Sequence, residues 1–192
     1  MNMSVLNFKS VITNIARASL FYVEMASGPP VLRSQWSTRQ AEIMSFTCKA
    51  ASLPQDTFSK IPVAFFGREV GFYGKRQYSD WNTTIGNTNS FEFYRFLWEW
   101  HRLMNDQKDN VAITTNMNQY KTDLNIRLTD VTGGGASSSN VNGIVGVKLC
   151  GVWPMSIGDM SLDWNADQQL DMQVTWSYDW TEMLSDTSTA SS

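Results

Sequence analysis

Residues 170–180 alternate without exception between apolar and polar side chains, and this stretch constrains the fold more than any other. A period of two places successive side chains on opposite faces of a β-strand, so that one face can pack on a core. The apolar positions are Leu170, Met172, Val174, Trp176, Tyr178 and Trp180. The polar positions are Asp171, Gln173, Thr175, Ser177 and Asp179. Since a strand of this length needs other strands beside it, the sequence predicts a mainly β protein.

Further runs of β-branched, aromatic or alternating residues predict the strands that accompany it. They cover residues 20–26, 43–50, 60–66, 69–73, 78–85, 117–129 and 144–153, the last of these ended by Pro154. In residues 43–50 the alternation puts Met44, Phe46, Cys48 and Ala50 on one face. The polar residues 31–41 are interpreted as a loop or an arm, and residues 74–76 as a turn.

One helix is predicted over residues 91–105, where Asn89 and Glu92 have the spacing of a capping box. Its apolar stripe consists of Phe93, Phe96, Leu97, Trp100, Leu103 and Met104. We expect four side chains to anchor the core: Trp81, Leu97, Trp100 and Trp176. The predicted fold is an antiparallel β-sandwich or barrel with one packed α-helix.

The chain of 192 residues is expected to form a single domain over residues 1–192, with a polar end at about residues 185–192. Residues 133–139, rich in Gly and Ser, predict a flexible loop. Cys48 and Cys150 do not make a disulfide framework in a chain of this length. No run approaches the ~20 apolar residues of a membrane span, so we expect no membrane segment.

Charge is distributed unevenly along the chain, although the net charge is only -3. Residues 151–192 contain seven acidic residues and no Lys or Arg, so all fifteen basic residues precede them. Such asymmetry is typical of an acidic tail, or of surfaces of opposite sign that meet between subunits. It argues against a conventional nucleic-acid-binding protein, which presents a basic face.

Motifs for catalysis, metal binding or cofactor binding are not found, so we expect no enzyme activity and no cofactor. His101, the only histidine, has no partner at motif spacing. Asp159, Asp163, Asp167 and Asp171 recur every four residues, which leaves a peptidoglycan-degrading enzyme as one alternative. The eight Trp residues leave a carbohydrate-binding β-sandwich as another, although most of them lie on predicted core faces.

Five segments in order along the chain together resemble the tail tube family of T4-like contractile bacteriophages. The second of them, residues 48–54, resembles a family segment that leads into a long loop between subunits. The third resembles two family strands, and the fourth a family helix. The segments are residues 17–23, 48–54, 61–85, 91–104 and 151–180, the last carrying Gly151–Ile157, Leu162–Trp164 and Ser177–Trp180.

The resemblance implies a structural subunit of the virion, assembled in the host cytoplasm. Six copies would form a ring, and rings would stack into a tube inside a contractile sheath, with baseplate and tail-terminator proteins as further partners. Related alternatives are the baseplate protein that initiates the tube and the tube protein of a secretion system. Viral DNA would pass through the lumen without specific binding, so the lumen should avoid cationic side chains. We hypothesise that four residues of the alternating strand line it: Asp171, Gln173, Thr175 and Asp179.

Overall fold

The computed structural model describes residues 17–112, 114, 116–129, 143–165 and 167–184. Within them lie nine strands: β1 Phe21–Glu24, β2 Cys48–Ala51, β3 Asp56–Phe65, β4 Arg68–Tyr78, β5 Trp81–Gly86, β6 Thr122–Thr129, β7 Gly143–Ile157, β8 Asp171–Ser177 and β9 Trp180–Leu184. The helices are α1 Thr38–Thr47, α2 Glu92–Met104 and the single turn α3 Met117–Tyr120, preceded by a 3-10 turn at Pro30–Leu32. The mainly β, antiparallel fold class predicted from the sequence is confirmed.

Seven strands form one antiparallel sheet in the order β1-β6-β7-β8-β5-β2, with β9 paired to β7 as well. The long strand β7 belongs to both halves of this sheet. Its first part pairs with β6 and β9, and its second part, from Trp153 onward, pairs with β8. Gly151 lies two residues before the second part and has φ +70, a left-handed conformation that favours glycine. We call β1, β6, β9 and the first part of β7 the first half-sheet, and β2, β5, β8 and the second part of β7 the second half-sheet.

The inward-facing side chains of both half-sheets share one core with helix α2. Trp176 of β8 lies at its centre, with ring centroids 6.5 Å from Trp81 and 6.2 Å from Trp100. The Trp100 indole Nε1 donates to the Tyr120 carbonyl at 2.8 Å, and the Trp176 Nε1 donates to Thr83 Oγ1 at 2.9 Å. The four anchors named from the sequence are buried: Trp81, Leu97, Trp100 and Trp176.

Helix α1 replaces what the sequence predicted as the beginning of a strand at residues 43–50. Its first turn is closed by the Ser37 amide, which donates to the Gln40 side-chain carbonyl at 2.5 Å. Met44 is buried, whereas Phe46 is exposed, so the predicted shared face of these two residues was wrong. Only Cys48–Ala51 is extended. A helical turn separates side chains two apart by about 200°, which places them on different faces.

Helix α2 is confirmed over Glu92–Met104, but its predicted capping box was wrong. The helix begins after Phe91, which has φ 51 and makes no side-chain capping bond. Glu92 instead accepts a hydrogen bond from Arg39 Nε at 2.9 Å, which joins α2 to α1. Within the predicted stripe, Leu97 and Trp100 are buried completely.

Several strand boundaries differ from those predicted, among them the strand at residues 78–85, where Tyr78 ends β4 and β5 begins at Trp81. Residues 74–76 are not a turn but lie inside β4. Residues 117–120 are the helical turn α3, so β6 begins only at Thr122. Strand β7 continues through Pro154. This residue lies beside a bulge, where the backbone N–H that proline lacks is not required for pairing with β8. The alternating strand is interrupted after Ser177, and Trp180 begins β9 as a half-exposed residue and not as part of the core.

The predicted loop at residues 133–139 and the polar end at residues 185–192 lie outside the described residues. None of the described helices is both long and apolar enough to cross a membrane.

Candidate assembly surfaces

Strands β3 and β4 form a two-stranded hairpin, here called the arm, which pairs with no other described strand. Strand β3 has ten residues, so the arm is about 30 Å long. Its tip is a two-residue turn, in which Phe66 and Gly67 both have positive φ, as tight hairpins require. Every residue of β3 is exposed, and so are most residues of β4.

One face of the arm is apolar although it is exposed. The register places Ile61 opposite Phe72 and Val63 opposite Val70, with Phe65 on the same face nearer the tip. These five side chains are between 45% and 64% exposed. An isolated hairpin is marginally stable in water, and an apolar patch of this kind is typical of an interaction surface. The arm therefore has the features of a segment that packs against another molecule.

The base of the arm is fixed to the subunit by aromatic and charged contacts. Arg76 Nε donates to Asp56 Oδ2 at 2.7 Å, joining the two strands across the hairpin. The Arg76 guanidinium also lies 5.3 Å from the ring centroids of both Phe58 and Tyr78, within the range of cation–π attraction. The Tyr78 ring in turn packs against the buried Tyr178, with centroids 5.6 Å apart. These contacts set the direction in which the arm leaves the subunit.

The main sheet ends in short strands whose outer edges have no strand partner among the described residues. They are β1, β2 and β9, of four, four and five residues. On β9, Trp180 and Met183 are also exposed. Unpaired edges and exposed apolar side chains together make β9 suitable for pairing with a second chain.

The outward face of the second half-sheet is polar and nearly neutral. The structure brings together three of the four lumen candidates there, Asp171, Gln173 and Thr175, on successive outward positions of β8. Thr175 Oγ1 donates to Asn82 Oδ1 on β5 at 2.8 Å. The Lys49 ammonium lies 2.6 Å from an Asp171 carboxylate oxygen, so this lysine's charge is balanced.

Asp179, the fourth lumen candidate, does not lie with the other three. It occupies the interruption between β8 and β9, where its amide donates to the Cys150 carbonyl at 3.0 Å. Its carboxylate pairs with Lys121 Nζ at 2.8 Å. A second ion pair, between Lys148 Nζ and Asp123 at 2.8 Å, lies on the outward face of the first half-sheet. The outward face of the first half-sheet therefore carries charges of both signs, whereas the face that carries Asp171 is nearly neutral.

Residues 158–165 and 167–170 lie between β7 and β8 in a mostly exposed loop that we call the acidic loop. It carries Asp159, Asp163 and Asp167 and contains no Lys or Arg. Leu162 and Trp164 are its apolar residues, and both are almost fully exposed. The sequence placed Trp164 in a segment that resembles the family, but it did not predict that this side chain is exposed, because a lone Trp in a polar stretch gives no periodic signal.

The groups with possible chemistry are two cysteines and one histidine, all of them at least partly buried. Burial raises the pKa of the Cys48 thiol to about 11 and also raises the pKa of Cys150, which disfavours the nucleophilic thiolate. His101 is half-buried, and its Nε2 lies 3.0 Å from the Pro154 carbonyl oxygen, to which it can donate. Among the described residues no group of His, Cys, Asp and Glu is arranged to hold a metal ion.

His101 is expected to make the fold sensitive to acid. Burial lowers its pKa, so the unfolded chain takes up a proton before the folded chain does. The stability that the neutral ring contributes is complete above the unfolded pKa of about 6.5 and is lost as pH falls through the folded pKa. His101→Gln should therefore lose less stability than the wild type between about pH 7.5 and about pH 5, measured by urea unfolding. Equal losses in the two proteins would contradict this assignment.

Comparison with known proteins gives consistent matches along almost the whole chain. Residues 16–182 match the family described as phage tail tube protein. Tail tube protein gp19 of Enterobacteria phage T4 is 25% identical over 170 residues, which cover 88% of this chain and 92% of gp19. The related protein of phage T6 matches to the same extent.

Solved structures with the same fold include proteins of the anti-feeding prophage and of an extracellular contractile injection system. The anti-feeding prophage cap superposes with a TM-score of 0.58 at 18% identity, covering 90% of this chain and 93% of the cap protein. A chain of the sheath–tube complex of the extracellular contractile injection system PVC superposes with a TM-score of 0.54 at 16% identity, covering 95% and 99%. At these identities the likeness shows a shared fold.

Proposed function

Because this chain belongs to the phage tail tube protein family and is a structural subunit of the inner tail tube, we propose that its copies close into hexameric rings that stack into the tube. It is thus a component of the virion. The observation that carries the assembly proposal is the exposed apolar face of the arm, which a single copy leaves uncovered. We further propose that the protein acts without catalysis, and that sheath, baseplate and terminator proteins are its other partners.

Ring closure is supported by the unpaired edges of the main sheet. Strands β1, β2 and β9 leave backbone donors and acceptors available, and a closed ring would pair such edges between neighbouring copies. Because these strands have only four or five residues, a single copy exposes little edge before it assembles. The hexamer is the ring size that the family resemblance implies.

The outward face of the second half-sheet is proposed to line the lumen. DNA moving through a tube is slowed by each Lys or Arg that neutralises a phosphate, so a lumen without unbalanced positive charge is favourable. Asp171, Gln173 and Thr175 meet this requirement, because Lys49 beside them is paired with Asp171. Asp179 is no longer part of the proposal, since it pairs with Lys121 away from that face.

Assembly of the purified chain tests this function directly. We expect six-fold rings, and long tubes at high protein concentration, in negative-stain electron microscopy. Rings that never extend beyond one or two layers would indicate a baseplate initiator in place of the tube body. A chain that stays monomeric in light scattering across salt and protein concentration would overturn the proposal.

A further inference from the structure

We propose that the acidic loop of one copy docks in a cavity on the neighbouring copy of the same ring, which we call the basic groove. This inference rests on the proposed function, because it presupposes that copies close into a ring. It goes further by naming two surfaces that meet within the ring and the side chains that hold them together.

The basic groove is a cavity of about 490 Å³ on the outward face of the first half-sheet. Its floor is formed by β6 and β7, and the segment that precedes and contains the 3-10 turn forms one of its walls. A concave surface of this volume accommodates large side chains of another molecule. The lining residues that matter for docking are Pro30, Arg33, Lys121, Asn125, Lys148 and Leu184.

The basic groove has a net positive charge that belongs to Arg33. Lys121 is paired with Asp179 at 2.8 Å, so its charge is balanced within the subunit. Lys148 is paired with Asp123, also at 2.8 Å. Arg33 is exposed and has no ion-pair partner in the described part of the chain. Its guanidinium therefore favours a partner surface that carries carboxylates.

A buried hydrogen-bond acceptor in the groove also lacks a donor. Asn125 Oδ1 on β6 is shielded from solvent and accepts no hydrogen bond from the described residues. A buried polar atom without a partner is destabilising, so a docked group that supplies an N–H is favoured. Pro30 and Leu184 give the same cavity an apolar wall. An indole combines an apolar ring with an N–H donor and suits both features.

The acidic loop presents the complementary groups. Asp159, Asp163 and Asp167 have no ion-pair partner among the described residues. Trp164 and Leu162 lie between these carboxylates and contact little of their own subunit. The loop therefore offers an indole and negative charge together, and Trp is enriched among the residues that contribute most to binding at interfaces.

The two surfaces lie beside different edges of the main sheet. Lys49 of the edge strand β2 pairs with Asp171, the residue that follows the acidic loop, at 2.6 Å. Leu184, the last residue of the edge strand β9, lines the basic groove. A closed ring brings different surfaces of neighbouring copies together at every contact, so the loop beside one edge meets the groove beside the other.

Zero-length cross-linking can locate this contact. Rings made from a mixture of isotope-labelled and unlabelled chains would be treated with a carbodiimide, which joins lysine amines to carboxylates in direct contact, and then digested for mass spectrometry. We expect mixed-label peptides that join Lys121 or Lys148 to an aspartate of the acidic loop. Mixed-label peptides that join these lysines only to acids outside the loop would overturn the docking.

Charge reversal provides an independent test with built-in rescue. Arg33→Glu reverses the net charge of the basic groove, and Asp159→Lys/Asp167→Lys reverses that of the loop. Asp163 is kept, because its Oδ1 accepts a hydrogen bond from the Asn165 amide at 2.9 Å. Each variant alone should lose the rings seen by negative-stain microscopy, because like charges meet at every contact. Mixed in equal amounts they should form rings, since six positions allow the two variants to alternate.

Two further variants complete the test. Lys108→Glu reverses an exposed charge outside the groove and is the matched control, which should form rings as the wild type does. Trp164→Phe keeps an aromatic ring but removes the N–H that Asn125 would accept. It should raise the protein concentration required for rings about tenfold. The same substitution at the half-exposed Trp98 is its control and should leave that concentration unchanged.

The outcomes separate this inference from the proposed function. If the wild-type chain forms neither rings nor tubes, the proposed function itself fails. If wild-type rings form but both charge variants also form rings alone, or the mixture gives no rescue, only the docking of the acidic loop in the basic groove is wrong. Circular dichroism of each variant shows that any loss of rings occurs with the subunit folded.

Discussion

Removing the arm should abolish tubes while leaving the subunit folded. Asp56 and Tyr78 are paired directly in the hairpin register, so an Asn-Gly turn can join them in place of residues 57–77. The deleted residues are almost all exposed, so the core loses nothing that stabilises it. We expect sedimentation to find no tubes, with a melting temperature close to that of unassembled wild-type chain. Tubes formed at wild-type protein concentration would exclude the arm from the interface between rings.

A less drastic variant tests the contribution of the apolar face while keeping the rest of the arm. Ile61→Ser/Val63→Ser/Phe72→Ser keeps the hairpin length but removes three half-exposed apolar side chains. Covering each of them is worth about 1 kcal/mol, so the association constant should fall about a hundredfold. Ala64→Ser lies on the opposite face of the same strand and serves as the matched control, which should assemble normally.

Trp100→Ala should be the most destabilising single substitution considered for the fold. The side chain is completely buried against Phe96 and Trp176, with ring centroids 5.7 Å and 6.2 Å away. Its loss leaves a cavity and takes the indole donor from the Tyr120 carbonyl. We expect about 3–5 kcal/mol less free energy of unfolding, measured by urea denaturation of the armless variant so that assembly does not contribute.

Trp98→Ala is the matched control, since Trp98 lies on the same helix but is 42% exposed. It removes the same side chain while leaving the central cluster intact, so its cost should be at most about 1 kcal/mol. Equal costs for the two substitutions would show that the stripe through Trp100 does not anchor α2 to the sheet.

Sequence periodicity predicted both the type of element and its buried face where the element buries one face along its whole length. Residues 171–177 alternate and form β8 with Met172, Val174 and Trp176 buried. The same holds for α2, whose stripe through Leu97 and Trp100 covers the core. In both elements the chain's own pattern and its tertiary packing favour the same structure.

Where an element is only partly buried, the pattern of apolar residues predicted the wrong type of element or the wrong boundary. Helix α1 buries Met44 alone, so it has no apolar stripe, and the accidental alternation of Met44, Phe46 and Cys48 resembled a strand. Pro154 was taken as the end of β7, because local sequence does not show that a bulge removes the need for its amide. The acidic loop was noticed for its charge, but only the fold shows that it lies at the far end of β5 from the arm.

The sharing of β7 between the two half-sheets has a consequence for how the subunit responds to force. Its residues pair with β6 and β9 up to Val152 and with β8 from Trp153 onward, so one continuous backbone crosses from one half to the other. Neither half can detach without breaking a ladder that contains this strand. We expect the amides of β7 to be among the slowest to exchange with deuterium, and the subunit to open as one cooperative unit. A pull that reaches β7 through the hydrogen-bonded ladders of one half-sheet passes to the other half-sheet along the covalent backbone of this strand.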